Sequence, residues 1–128
     1  MGFVSEVWES GGVRHLSIDY AEMLTGEEAV AAAIEAGEIA PGEALPNDYF
    51  ISNVNPQLRE FTVASDVSIT TATYLGGGPD DPQPVTWAEF KSFWDATPPA
   101  GAEHLHLMPW WIERDGDEIV SIAEQYLP

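Results

Sequence analysis

The chain has no cysteine, which removes disulfides, thiol nucleophiles and thiolate-bound zinc or iron–sulfur centres. Cations are nearly as scarce. Arg14, Arg59, Lys91 and Arg114 stand against 14 Glu and 8 Asp, for a formal net charge of −18. Phosphate backbones are gripped by clustered Lys and Arg, so nucleic-acid binding is disfavoured, and anionic membrane surfaces are disfavoured by the same field. No apolar run approaches the roughly 18 residues of a membrane span. The opening MGFVSEVWES carries acids where a signal peptide has a basic segment and an apolar stretch. Chemical signatures are missing too. There is no Gly-x-Ser-x-Gly elbow, no His-Glu-x-x-His and no EF-hand pattern, and GGGPDDP lacks the lysine and helix start of a phosphate-cradling loop. No cofactor is expected.

What is present suits a packed domain. Of 128 residues 45% are apolar, with five Trp, five Phe and four Tyr. A chain of this size buries roughly two thirds of the surface it exposes when unfolded, enough for one core in a single globular domain over residues 1–128. The acids keep such a domain soluble. They also raise the local concentration of cations and basic protein surfaces, the partners this field permits.

Periodicity supplies the elements. FVSEVWES and VRHLSIDYAEML alternate around Gly11-Gly12 as a hairpin, with Phe3, Ser5, Val7 and Glu9 opposite Val4, Glu6 and Trp8 on the first strand, and Leu16, Ile18 and Tyr20 sharing a face on the second. TGEEAVAAAIEAGE reads as a helix with a Thr25/Glu28 capping box, a narrow apolar face of Ala29, Val30, Ala33 and Ile34, and Gly37 as its stop. DYFISN has strand propensity, Asn55-Pro56 marks a turn, and EFTVASDVSITTATYL resumes alternation with a bulge or short turn at Ser65-Asp66. TWAEFKSFWDA opens on a second capping box, Thr86/Glu89, with Val85 and Phe90 placed as a hydrophobic staple. Its stripe of Trp87, Phe90 and Trp94, with Phe93 alongside, reads as core packing. In PWWIERDGDEIVSIAEQYLP, Asp115-Gly116 suits a two-residue turn. That register pairs Ile112 with Ile119, Trp111 with Val120 and Glu113 with Glu118. The expected class is therefore α+β, mainly β: a small antiparallel barrel-like sheet of about six strands with two capped helices.

Two sets of residues invite a functional reading. His104 and His106, if extended, project from one face of a strand and suit one metal ion, with His15 or a carboxylate to complete it; the competing reading has solvent-facing histidines alternating with core leucines. Trp110 and Trp111, adjacent on a strand, point to opposite faces, so one can leave the core. An exposed Trp near Tyr49 or Tyr126 would suit a protein, peptide or sugar ligand.

The phrases DYAEMLTGEEAVAAA, LPNDYFISNVNPQLREF and PWWIERDGDEIVSIAEQYLP together resemble a family of small domains in secreted or lipid-anchored proteins of Gram-positive bacteria. The resemblance runs from about Asp19 to Pro128. It implies an extracellular or cell-envelope location, with a lipid anchor on a precursor compatible with it, and it brings no catalytic residues. The scarcity of lysine here departs from that family's character. Within these phrases Arg59 is expected to pair with an acid on a neighbouring segment, Asp19 or Asp48. The leading functional expectation is a non-catalytic binding or accessory module. The alternatives are an acidic inhibitor or decoy that occupies a basic partner surface, and a metal-binding protein or enzyme using His104 and His106.

Overall fold

The computed structural model describes residues 1–53 and 58–127, and these form eight strands and two α-helices. β1 (Gly2–Ser10) and β2 (Val13–Tyr20) form the expected hairpin, and Gly11 and Gly12 both take the positive φ that its two-residue turn requires. One local detail departs from strict alternation. The register steps from Val4↔Ile18 to Glu6↔Ser17, so Ser5 is an extra residue in β1. That bulge re-phases the strand and lets Val4 and Val7, three residues apart, both reach the core beside Leu16 and Ile18. Ser5 Oγ and Ser17 Oγ share a hydrogen bond of 2.6 Å across the bulge.

β5 (Leu58–Thr71) pairs with β2 through its first half and with β8 (Glu118–Glu124) through its second. β8 pairs with β7 (Pro109–Asp115), and β7 returns to β1 at Gly2 and Phe3. Five strands thus close a ring, and the two-residue β6 (Gln83–Pro84) lies against the end of β5 as a sixth. The expectation of a wholly antiparallel sheet is corrected at one seam, because β5 and β8 run parallel. The reason is arithmetical: directions cannot alternate all the way round an odd-numbered ring.

A strand of 14 residues would span about 45 Å if straight, so β5 must bend to serve both neighbours. It does so where Ser65-Asp66 predicted a break. Residues 64–67 of β5 stand where β8 has only Val120 between its paired positions. Arg14 stabilises this bend from β2. Its Nη1 donates to Ser65 O at 3.1 Å and Ala64 O at 3.5 Å, while its guanidinium lies over the Trp87 ring.

The barrel is filled by aromatic side chains from α2 (Trp87–Ser92) and the turns after it. Its capping box is complete: Thr86 Oγ1 accepts from Glu89 N–H, and the Glu89 carboxylate accepts from Thr86 N–H. The helix is shorter than its sequence pattern, because i→i+3 bonds from Phe93, Trp94 and Asp95 tighten the chain after Ser92. Phe90 packs edge-on against Trp110, at a centroid distance of 5.2 Å, and against Phe93 at 6.3 Å, while Trp94 Nε1 donates to Val4 O. The aromatic stripe is core, as its spacing predicts.

The β7–β8 hairpin is displaced from its expected register. Asp115 pairs with Glu118, which makes Gly116 and Asp117 the turn residues, and a second bulge shifts the pairing between Arg114 and Glu113. Only Gly116 has positive φ, as suits a turn with glycine in its first central position. Ile112 therefore meets Ile122, Trp111 meets Ala123, and Glu113 faces Ser121 rather than Glu118. Arg114 stacks over Phe61 at 4.7 Å. This register keeps Trp110, Ile112, Ile119 and Ile122 in or against the core.

Beside the barrel sits a smaller unit. β3 (Glu22–Thr25) and β4 (Tyr49–Ser52) form a separate antiparallel pair after the chain breaks from β2 at Ala21. α1 (Gly26–Glu35) packs near them with Ala29 and Ala33 buried. The Thr25/Glu28 box is not made: Thr25 stays in β3, and Gly26, at φ +62°, turns the helix away from its side chain. The far end matches its prediction. Gly37 N–H reaches Ile34 O and Glu38 N–H reaches Ala33 O, a paired C-terminal closure that needs Gly37 at φ +78°. The Asn55-Pro56 turn lies outside the described residues. Arg59 stands opposite Ile18, one step from Asp19.

Candidate functional site

The histidines do not share a strand face. A 3₁₀ turn spans Leu105–Leu107, with His104 at its N-terminal cap, and at about 120° per residue side chains two apart diverge. Leu105 enters the core while Leu107 is exposed. His104 is engaged from one side: its Nε2 lies 2.6 Å from Thr73 Oγ1. The Thr73 hydroxyl donates to Glu124 Oε2 at 2.6 Å, so the shared bond requires the proton on His104 Nε2. Glu124 Oε1 accepts from Ala72 N–H at 2.8 Å and Thr73 N–H at 3.1 Å. This carboxylate, 8% exposed, ties the chain leaving β5 to the end of β8 and to the histidine turn. His15 stands elsewhere, stacked on Trp8 at 5.3 Å with Nδ1 4.0 Å from Glu60. Among the described residues no three His, Asp or Glu side chains gather as a metal site.

The proposed aromatic surface separates into three places. Trp110 is fully buried and its Nε1 donates to Leu105 O at 3.3 Å. Trp111 faces outward and is 48% exposed, with Nε1 donating to Gln125 Oε1. Tyr126, 37% exposed, follows β8 in the same part of the chain. Tyr49 belongs to the small sheet. The sequence rule that one Trp of an adjacent pair can leave the core therefore identifies Trp111, through the β7 register.

Tyr49 lines a groove of about 620 Å³ between the segment after α1 and β4. Ile39, Leu45 and Pro46 contribute from that segment, and Tyr49, Phe50 and Ile51 from β4. The volume lies within the roughly 300–1,000 Å³ common for ligand pockets, and the lining mixes polar with apolar surface. Among the described lining residues the charged ones are Glu38 and Glu43, and none is lysine or arginine. Glu43 Oε1 accepts from Ala40 N–H at 3.1 Å, which folds the segment back on itself. Asp48 turns into β4 at φ +57°, a left-handed conformation that Asp tolerates better than most residues.

A scan against protein-family models and searches of curated proteins and solved structures gave no match to this chain.

The sequence offers Tyr49 only as a neighbour for an exposed Trp, and neither tryptophan lines this groove; the rest of the lining carries no local signal, because APGEALPN has the polar, proline-marked composition of a linker. Sequence reasoning also missed Glu124. The available signal was a carboxylate near the inward positions Ile119 and Ile122 of a terminal strand. A buried acid at such a place needs donors, and the two backbone N–H groups and one hydroxyl supply them.

Proposed function

We propose that this chain is a non-catalytic binding module whose ligand seats an apolar segment in the Tyr49 groove, and that it works outside the cytoplasm, as the family resemblance implies. The observation that carries the reading is the groove's lining: Leu45, Tyr49 and Phe50 border open space beside β4. By contrast, the chemically conspicuous His104, Thr73 and Glu124 are joined to one another and to backbone across three segments. The Thr73 hydroxyl spends its proton on Glu124 rather than on His104, so the histidine does not activate it as a base would a nucleophile, and the backbone bonds of Glu124 suit a structural clamp.

Peptide display tests this reading. Random twelve-residue peptides are selected on the whole chain and counter-screened against Leu45→Lys, which puts a long charged side chain into the groove. Enriched sequences are expected to carry apolar residues and to lose binding to the variant. Recovery of only binders indifferent to Leu45→Lys would defeat the groove reading; if those binders were basic and salt-sensitive, the acidic decoy would take its place.

A further inference from the structure

β4 brings two features together. Its partner is β3 on one side, and among the described residues no strand pairs with the other. Tyr49, Phe50 and Ile51 are consecutive, so their side chains point alternately to the two faces of the strand. All three nevertheless line the same groove. Residues of both faces border the groove and no residue of β3 does, which puts it along the outer edge of β4, where every second residue of an antiparallel strand turns N–H and C=O outward. The slot therefore offers main-chain donors and acceptors as well as apolar side chains.

We propose that an extended basic peptide occupies this slot by adding a strand to the free edge of β4, with Lys or Arg side chains meeting Glu38 and Glu43. The inference rests on the groove reading above and specifies its ligand. Charge complementarity selects the peptide's sign, since the groove's charged residues are carboxylates and the chain as a whole carries −18. Main-chain pairing supplies affinity with little demand on sequence, and alternate apolar side chains supply selectivity. An acidic peptide would meet repulsion in the same slot.

The test uses three fluorescein-labelled peptides and the whole chain, with binding read by anisotropy at physiological salt. The probes are an alternating Lys-Val heptapeptide, the same peptide N-methylated at its central amides, and an alternating Glu-Val heptapeptide. Lys-Val is expected to bind and the N-methylated form to bind at least about tenfold more weakly, because a methylated amide cannot donate to the edge. Glu38→Gln with Glu43→Gln is expected to weaken Lys-Val binding several-fold, while Glu113→Gln with Glu118→Gln on the β7–β8 hairpin removes equal charge without effect. In the first of these variants the side-chain amide carbonyl at position 43 still accepts from Ala40 N–H, which keeps the segment's fold. Amides of residues 49–52 should gain hydrogen-exchange protection when Lys-Val is bound.

Equal binding of the N-methylated peptide would overturn edge pairing, and equal binding of Glu-Val would overturn the charge assignment. Equal weakening by both double variants would reduce the effect to diffuse attraction and also overturn the proposal. Failure of Lys-Val to bind would overturn it as well, while the outcome of the display selection would judge the groove reading separately.

Discussion

The barrel and the α1–β3–β4 unit solve the same packing problem with different materials. In the barrel, large aromatics interlock: Phe90 touches Trp87, Phe93, Trp94 and Trp110 within 6.3 Å between ring centroids. Scarce cations reinforce its walls, Arg14 at the β5 bend and Arg114 over Phe61. In the smaller unit the buried helix face is alanine and the sheet has two four-residue strands. Alanine loses no side-chain entropy on burial but removes little apolar surface from water, so each contact there contributes less. The contrast assigns stability chiefly to the ring and leaves the small sheet with an open groove and a strand edge that no strand pairs with among the described residues. Regions of low local stability are where binding surfaces are commonly found.

The largest way to break this comparison is at Glu124. Glu124→Ala leaves the buried Ala72 N–H and the half-buried Thr73 N–H without their carboxylate, and should lower stability by about 2–4 kcal/mol in denaturant unfolding. A cost no greater than that of an exposed surface substitution would show that the clamp contributes nothing to the ring. Ala33→Leu acts on the other region. Inserting the larger side chain where Ala33 is fully buried should cost about 1–3 kcal/mol, with faster hydrogen exchange in α1 and β4 than in β7 and β8. Uniform loss of protection would instead make the two regions one cooperative unit. The smallest effect has the opposite sign. Thr71 Oγ1 is buried with no hydrogen-bond partner among the described residues, so Thr71→Val should stabilise the ring by about 0.5–1 kcal/mol. A drop in melting temperature would mean that the hydroxyl has a partner after all, such as an internal water.

Much of this division was legible in the residues. The Gly11-Gly12 hairpin, the Thr86/Glu89 box, the aromatic stripe and the Gly37 stop depend on contacts within a few positions, where side-chain spacing and φ preference act directly. The failures also have local causes. Thr25 has the composition of a cap, yet its backbone belongs to β3 and Gly26 turns the chain aside. Ser5 looks like an ordinary outward strand residue, yet it is the bulge that brings Val4 and Val7 to one face. HLHL alternates like a strand, yet the chain needs a tight turn there to enter β7, and its histidines diverge.

By itself the sequence determined that this is a mainly β chain with two helices, an aromatic core and a formal net charge of −18, because composition is read directly and period follows from short-range geometry. Tertiary structure decided how the ring closes, with an odd strand count forcing one parallel seam, and which of Trp110 and Trp111 is buried. It also decided that Glu124 meets Thr73 and His104, and that a linker-like segment faces β4 across a groove. Those pairings join residues far apart in the chain, and no local preference specifies them until the core has fixed the register.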